Sequence, residues 1–273
     1  MSQQPTDHTR ASIKVYRHSL SVRLTHWAGA LCLLVLLMSG LQIFNAHPAL
    51  YWGNASDFPH PIAAIAATSR GGRPEGVTEV LGHAFDTTGV LGVSGLRNGQ
   101  ERGFPAWITL PGYQDLATGR RWHFFFAWLL VLDGLIYFAF GFAGGHIRRD
   151  LIPSRRELRE IGGTILDHLR LRFARGKAAQ PYNVLQQLSY LVVLFVVVPL
   201  LILAGLALAP GIDAALPALT SIFGGRQSAR TVHFVCAFLL VAFVTVHVLV
   251  VILSGAWNRM RSMITGWYAV EPE

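Results

Sequence analysis

The fold is decided by Arg230-TVHFVCAFLLVAFVTVHVLVVIL-Ser254, an apolar run that carries two histidines. About 20 apolar residues in a helix cross the hydrocarbon layer of a membrane, so this run predicts a transmembrane helix. His233 and His247 are 14 residues apart within it. Such a separation rises about 21 Å and turns to within about 40° of four full rotations, so both imidazoles lie on nearly one face at two depths.

Composition places the whole chain in a membrane. Of its 273 residues, 52% are hydrophobic and 14% are charged, and the mean hydropathy is +0.41. A soluble domain of this length is more polar. The stretches long enough to span are 25–44, 122–142, 187–209 and 231–253. The predicted fold class is all-α: a single membrane domain, 1–273, built as a four-helix bundle with a long extracytoplasmic loop, 45–119, between helices 1 and 2.

The distribution of basic residues predicts the orientation. Nine lie between Gly144 and Leu185, four precede the first span, and Arg259 and Arg261 follow the last. Short basic flanks stay in the cytoplasm, so both termini are expected there, in a multi-pass protein of the bacterial inner membrane. The 45–119 connection carries four Arg against six acids and is expected outside. A net charge of +8 arranged in this way indicates topology and contact with anionic membrane lipid, and nucleic acid is not an expected partner.

The N-terminal segment lacks a small-residue cleavage site after its first apolar run, so no removable signal peptide is expected.

The direction of each span fixes the depth of four histidines. The first span begins in the cytoplasm, which places His26 near that face, and the second returns, which places His123 near the outer face. On the fourth span His233 is near the outer face and His247 is about 21 Å further in. The predicted pairs are therefore His26 with His247, and His123 with His233.

Paired histidines inside a membrane point to haem. Histidine is costly in hydrocarbon, usually marks a functional site there, and is a common axial ligand of haem iron. The pairs predict two haem b groups, with His26 and His247 ligating one iron and His123 and His233 the other. Cys32 and Cys236 both lie inside spans and the sequence has no C-x-x-C-H motif, which excludes covalent c-type attachment.

Glycines and arginines near these histidines fit a haem site. Gly40, Gly134 and Gly141 lie within about 40° of a ligand's face, where they either leave room for the macrocycle or allow close helix packing. Basic residues near the pairs either bind haem propionates or are snorkelling interfacial charges. They are Arg23 for the inner pair, and Arg120, Arg121, Arg226 and Arg230 for the outer pair.

Other positions carry simpler expectations. Asp133, near the bilayer midplane, is either part of a proton path or a neutral, hydrogen-bonded acid, and the second reading is favoured. The third span contains Pro199 and no histidine, which predicts a kinked packing helix. Helical spacing of apolar residues over 161–173 predicts an amphipathic interfacial helix. The outer loop, with its twelve glycines, is expected to be irregular with little buried core.

The remaining seven histidines lie in tails or loops and are interpreted as ordinary surface residues. Two of them, His18 and His83, are also candidates for lining a quinone or partner site. The seven are His8, His18, His47, His60, His83, His146 and His168.

Several motifs together are characteristic of a known family. They are Arg23-Leu-Thr-His26-Trp27, Trp107-Ile-Thr-Leu-Pro-Gly, Gly119-Arg-Arg-Trp-His123-Phe, Gly224-Gly-Arg-Gln-Ser-Ala-Arg-Thr-Val-His233-Phe, His247-Val and Met263-Ile-Thr-Gly266. With them the chain resembles the bacterial di-haem cytochrome b561 superfamily, which includes the Ni-Fe hydrogenase cytochrome b, formate dehydrogenase gamma and thiosulfate reductase cytochrome b subunits. It is most similar to the thiosulfate-reductase-like group. The resemblance implies that His26, His123, His233 and His247 are the haem ligands.

The resemblance also implies a function. It predicts an electron-transfer subunit, without catalytic residues of its own, that exchanges electrons between the quinone pool and an extracytoplasmic oxidoreductase subunit, for which a molybdopterin enzyme is a candidate. The long outer loop is the expected docking segment. One alternative is a stand-alone quinone oxidoreductase of the cytochrome b561 type, which would turn over with quinone by itself. The other is a haem-free membrane anchor or transporter, which would show no haem absorption.

Overall fold

The computed structural model describes residues 13–94, 100–145, 147–170 and 183–270. Four helices are long and apolar enough to cross a membrane: Leu20–Phe44 (α1), Leu116–Ala143 (α2), Val184–Leu208 and Arg226–Leu253 (α9). The chain is a multi-pass helical membrane protein. Each helix begins three to six residues before its predicted span, because polar side chains at these positions continue the helix into the interface, where a hydropathy criterion does not count them.

The third spanning helix has three parts. It comprises α5 (Val184–Val192), a five-residue π-helical segment (Val193–Val197) and α6 (Val198–Leu208). Pro199 lies at the start of α6. Proline has no N–H to donate, and its ring clashes with the carbonyl four residues earlier, so the wider π turn accommodates it within a continuous helix.

The described residues form two compact units. The first contains the chain up to Trp27, Leu135–Val193 and the residues from Ala242 onward. Here β1 (Ile13–Tyr16) pairs antiparallel with the terminal strand Trp267–Val270. The helix Ala256–Thr265 leads into that strand. The sheet ties the two ends of the described chain together, which the sequence did not predict.

The basic connection of the first unit is mostly helical. A π turn at Ile147–Leu151 is followed by α3 (Arg155–Arg159) and α4 (Ile161–Leu169). Ser154 and Glu157 form a reciprocal capping box at the start of α3. The predicted amphipathic helix is confirmed over α4, where Ile165 and Leu166 are exposed, while Phe173 lies outside the described residues.

The second unit contains Ala28–Gly134 and Leu194–Val241. It corrects the expectation that the connection between α1 and α2 is irregular: the mostly helical membrane fold carries a β segment there. In sequence order its strands are β2 (Ala49–Leu50), β3 (Ala63–Arg70), β4 (Arg73–Val80), β5 (His83–Asp86), β6 (Gly92–Ser94) and β7 (Gln100–Arg102). The first four form one antiparallel sheet and the last two form another. The short helices α7 (Pro210–Ala215) and α8 (Pro217–Ile222) precede α9.

Turn residues explain the first sheet. Gly71-Gly72 joins β3 to β4, and Leu81-Gly82 joins β4 to β5, all with positive φ. Two successive positive φ values give the two-residue turn whose twist matches the flanking strands, and glycine adopts them at no steric cost. The glycines therefore make tight hairpins here.

A small core fixes this β segment on α1. Leu41 and Phe44 of α1 pack with Leu50 and Phe104, and all four are at most 7% exposed. Phe234 of α9 packs against the same cluster. Burial of four large side chains outweighs the glycine content that favoured an irregular loop.

A buried arginine connects the end of the β segment to α1. The Arg102 guanidinium, 5% exposed, donates hydrogen bonds to the Gly112 carbonyl (2.7 Å) and to the side-chain oxygens of Gln42 and Thr109 (2.9 Å each). Burial lowers the pKa of Arg102. Three oxygen acceptors offset the cost of burying this charge.

Candidate functional site

The second unit brings His123 of α2 and His233 of α9 together. Their ring centres are 6.1 Å apart and the ring planes are inclined at 67°. The two imidazoles face each other between α2 and α9, as expected from their predicted depths. These two residues are 110 positions apart in the sequence, so only the antiparallel course of the helices brings them together.

The first unit brings His26 of α1 and His247 of α9 together. Their ring centres are 6.4 Å apart, with the planes at 52°. Aromatic rings surround the pair: Phe243 stacks on His247, Tyr190 meets it edge-on at 6.4 Å, and Trp27 meets His26 at 5.1 Å. The structure therefore places the four histidines in the same two pairs that the sequence predicts.

The spacing within each pair suits one metal ion. An imidazole nitrogen bonds a transition metal at about 2 Å and lies about 1 Å from its ring centre, so two rings on opposite sides of one ion have centres about 6 Å apart. Both pairs match this spacing. Direct hydrogen bonding between the two imidazoles of a pair would bring their ring centres closer together than this.

His233 is oriented by the third spanning helix. Its Nδ1 lies 2.9 Å from the Leu201 carbonyl. A carbonyl only accepts, so Nδ1 carries the hydrogen and Nε2 keeps its lone pair for a metal ion. Gly205 makes this approach possible, because a Cβ there would lie 3.0 Å from His233 Cε1. The predicted packing helix thus supports a candidate ligand.

His123 is oriented by α1. Its Nδ1 lies 3.1 Å from the Ser39 hydroxyl, which itself lies 2.6 Å from the Val35 carbonyl. Next to Ser39, Gly40 leaves room for the ring, since a Cβ there would lie 3.3 Å from His123 Cε1. Gly40 therefore lets the His123 ring lie close to the α1 backbone.

Comparison with known proteins gives this geometry a family. The family model of prokaryotic cytochrome b561 matches residues 80–266. The chain belongs to the prokaryotic cytochrome b561 family. The match includes His123, His233 and His247 and begins after His26. This membrane cytochrome b therefore binds haem, and the four histidines are the candidate iron ligands in the described part of the chain.

One relative of this cytochrome matches over nearly its whole length. It is a protein of Azospira oryzae named "Putative protein-methionine-sulfoxide reductase subunit YedZ1", 29% identical over 249 residues, which are 91% of the present chain and 96% of the relative. No solved structure gives a significant match. The alignment spans the helices that carry all four histidines, including the first.

Buried polar atoms without a hydrogen-bond partner indicate where the cytochrome can bind the propionates of a haem. His26 Nδ1 and Arg23 Nε are buried without a hydrogen-bond partner in the described chain. Arg23 also donates a hydrogen bond to the Ile264 carbonyl. The free guanidinium nitrogen of Arg23 fits a haem propionate, so the residues present suit the group that the family binds.

The outer arginines of the cytochrome separate into two classes. Arg230 donates to the His47 carbonyl and lies 5.3 Å from the Phe44 ring centre, and no described acid forms an ion pair with it. Arg226 instead pairs with Asp213 at 3.1 Å. Arg230 thus keeps an unneutralised charge about one helical turn before His233 on α9, whereas Arg226 already has a carboxylate.

The other two candidates, Arg120 and Arg121, are exposed. Arg120 lies 5.5 Å from the Phe124 ring centre. The charge of Arg121 acts on Asp115, whose pKa is lowered mainly by hydrogen bonds from Thr118. Neither arginine is directed by a hydrogen bond toward a histidine pair in the described residues, and they fit the snorkelling alternative.

The remaining candidate glycines and the acid inside the membrane contact different neighbours. A Cβ at Gly141 would lie 3.0 Å from Ile147, which fits helix packing, while nothing lies within 4 Å of one at Gly134. Asp133 lies against Gly29, where a Cβ would be 3.1 Å from the carboxylate. The carboxylate therefore lies between α1 and α2, a position that both readings of this acid allow.

Two histidines interpreted as surface residues are not. His18 is only 7% exposed. His47 is half-buried, stacks on Tyr51 with ring centres 5.6 Å apart, and has Nε2 buried without a partner in the described chain. Burial and the charge of Arg230 lower the pKa of His47. His60 and His83 are exposed as expected, while His8, His146 and the side chain of His168 lie outside the description.

Sequence reasoning missed the groups that orient the candidate ligands. Ser39 and Gly205 carried a usable signal, since each is a small or polar residue inside an apolar helix. The Leu201 carbonyl carried none, because a backbone oxygen has no sequence signature. Tyr190 beside His247 was read only as part of a packing helix.

Substituting Gly205 by valine should remove the haem of the His123–His233 pair. The added side chain occupies the space of the imidazole, which must leave the Leu201 carbonyl and turn its Nε2 away. If this pair ligates a haem as the sequence predicts, haem-to-protein stoichiometry should fall by one per chain. Leu203→Val, a β-branched substitution at an exposed position of the same helix, is the control and should retain full haem content. Equal haem contents in the two variants would contradict the assigned role of Gly205.

Proposed function

We propose that this cytochrome is a di-haem electron-transfer subunit that connects the quinone pool with a partner oxidoreductase. His26 with His247 and His123 with His233 would each ligate the iron of one haem b. The observation that carries the proposal is the occurrence of two histidine pairs, both at bis-imidazole spacing, on membrane helices. Haem iron held in this way supplies one-electron redox chemistry within the membrane.

The protein's contribution is to hold and orient these groups. Leu201 and Ser39 fix the imidazole hydrogens of His233 and His123, so that the other ring nitrogen is available to iron. Arg230 and Arg23 supply positive charge for propionates. Because two histidines would hold each iron, the haems would supply electron transfer and would not bind a substrate.

Orientation forms part of the proposal. We place the protein in the bacterial inner membrane, with both termini and the basic 144–185 connection in the cytoplasm. Exposed arginines on and before α3 support this placement, because positively charged short connections are retained on the cytoplasmic side. The β segment between α1 and α2 would then face outward.

The partner is proposed to be an extracytoplasmic oxidoreductase subunit. The relative from Azospira oryzae is named as a subunit of a protein-methionine-sulfoxide reductase, and a thiosulfate-reductase-like or other molybdopterin enzyme fits the same role. The β segment supports docking, because its hairpins and buried core present an ordered surface. One edge strand of its larger sheet, β5, is exposed along its whole length.

A cleft in the first unit supports quinone as the second electron carrier. Its volume is about 560 Å³, within the range of small-molecule sites. Residues of β1, α1, α2 and the turn after α2 line it, among them Tyr16, His18, Thr25, Tyr137, Phe140 and Arg149. Aromatic walls suit a quinone ring, and an imidazole can bond its carbonyl and exchange a proton. Thr25 directly precedes His26, which joins the cleft to a candidate redox centre.

The purified cytochrome in lipid vesicles tests this function. Ubiquinol or menaquinol analogues should reduce its haems, and sustained electron flow should require the partner subunit. Failure of both quinols to reduce haem would reject the quinone half of the proposal. Sustained turnover with a small soluble donor or acceptor and no partner would favour the stand-alone oxidoreductase instead.

His18 and His83 give a matched comparison for the cleft. His18→Leu should slow quinol-dependent haem reduction about tenfold, the equivalent of one lost hydrogen bond of about 1.4 kcal/mol. His83→Leu, at an exposed position of β5, should leave the rate unchanged. Stopped-flow absorbance of both variants, at haem contents matched to the parent protein, measures the effect. Equal rates in all three proteins would place the quinone elsewhere.

A further inference from the structure

We propose that Ser39 is a positioning residue for His123, and that its hydroxyl lowers the reduction potential of the haem that His123 ligates. The inference rests on the proposed function, since it assumes that His123 is an iron ligand. It extends that function by naming the side chain through which α1 tunes one of the two redox centres.

The hydrogen-bond directions around Ser39 are determined by its neighbours. The hydroxyl lies 2.6 Å from the Val35 carbonyl, which only accepts, so the serine hydrogen points there. The hydroxyl oxygen then remains as an acceptor for His123 Nδ1, at 3.1 Å. Ser39 is fully buried, so no bulk water competes for either bond. The Leu36 backbone carbonyl is a further acceptor for the His123 imidazole, and the acceptors on α1 together favour the hydrogen of His123 on Nδ1.

A purely structural role would not require the second bond. Serines inside helices commonly bond a carbonyl of their own helix, and Ser39 does so with Val35. The bond to His123 instead joins α1 to α2, and the two residues are 84 positions apart in the sequence. Gly40 supports it, because the missing side chain lets the imidazole lie against the α1 backbone. Ser39-Gly40 thus forms a fitted surface for one face of the ring.

Accepting the imidazole hydrogen has an electronic consequence. A hydrogen bond from Nδ1 makes the imidazole a more basic ligand, which stabilises the ferric state and lowers the reduction potential. His233 makes the equivalent bond to a backbone carbonyl, which substitution cannot remove. His26 Nδ1 in the other pair is buried without a partner in the described chain. The Ser39 side chain therefore affects the potential of the His123–His233 centre and leaves that of the other centre unchanged.

Three variants test the inference. Ser39→Ala removes the hydroxyl acceptor and leaves the Leu36 backbone carbonyl, whereas Ser39→Thr retains the hydroxyl. Ser189→Ala is the matched control, because Ser189 lies in a spanning helix and its hydroxyl donates to the Gln186 carbonyl of the same helix. Potentiometric titration of purified protein gives the two haem potentials, and electron paramagnetic resonance reports the axial ligation. The wave that persists in a His233→Ala protein identifies the other centre.

We expect Ser39→Ala to shift the His123–His233 wave to higher potential and leave the other wave in place, while Ser39→Thr and Ser189→Ala titrate like the parent protein. Loss of that haem in Ser39→Ala, with retention in Ser39→Thr, would equally support positioning. Unchanged potentials at full haem content in Ser39→Ala would overturn the inference, as would loss of the haem in both Ser39 variants. A parent protein with fewer than two haems would instead reject the proposed function, so the two failures are distinguishable.

Discussion

Replacing His233 by alanine should remove one haem per chain and leave the other, and His247→Ala should remove the second haem instead. In the proposed function each of these histidines would hold one haem iron together with the histidine that faces it, so its loss should cost that haem. Pyridine haemochrome stoichiometry should fall from two haems to one in either variant. His60→Ala is the control, because His60 is exposed and paired with Asp57.

Double variants test which histidines share an iron. Combining His123→Ala with His233→Ala should cost no more haem than His233→Ala alone, since both changes affect one site. Combining His123→Ala with His247→Ala should leave no haem, since it affects both. Loss of both haems in the first combination, or retention of one in the second, would contradict the pairing.

Arg230→Gln should weaken haem retention at the His123–His233 centre by about 10- to 100-fold, because a charge-assisted hydrogen bond contributes about 1.5 to 3 kcal/mol. The Arg230 guanidinium is half-buried and has no ion-pair partner among the described acids, which leaves its charge for a propionate. Transfer of haem to excess apomyoglobin measures the change as a dissociation rate.

Arg226→Gln provides the comparison for that measurement. Both arginines lie on α9 within one turn or so of each other, but Arg226 is paired with Asp213 and also donates to the Leu208 carbonyl. Its substitution should leave haem dissociation unchanged and alter only the local attachment of α9. Equal dissociation rates in the two variants would show that Arg230 does not bind the cofactor.

The helices and the histidine pairs follow from the sequence because both depend on simple physical constraints. Hydrocarbon thickness sets the length of each span, and the alternating direction of the spans sets the depth of His26, His123, His233 and His247. The first residues of the helices lie before the predicted starts, since arginine and serine at an interface extend a helix without raising hydropathy, while the last residues agree to within one position.

The β segment shows where composition misleads. Twelve glycines between residues 45 and 119 favoured an irregular loop, yet Gly71-Gly72 makes a hairpin turn and Phe104 completes a core on α1. A high glycine content predicts a flexible segment only where the segment makes no stabilising tertiary contacts. The turn glycines could have been recognised by their two-residue spacing between strands, whereas the core could not.

The supporting residues depend on contacts that a single sequence does not display. His18 and His47 lie in segments outside the spans, where exposure is the usual outcome, but folding buries one and stacks the other on Tyr51. Ser39 and the Leu201 carbonyl become meaningful only once the neighbouring helices bring His123 and His233 against them.

The number of haems on the purified full-length chain tests the central claim most directly. Expressed with ample haem and analysed by pyridine haemochrome and electron paramagnetic resonance, the protein should contain two non-covalent b haems per chain, both low-spin with two imidazole ligands. One haem per chain, a high-spin majority or a colourless protein would contradict the account.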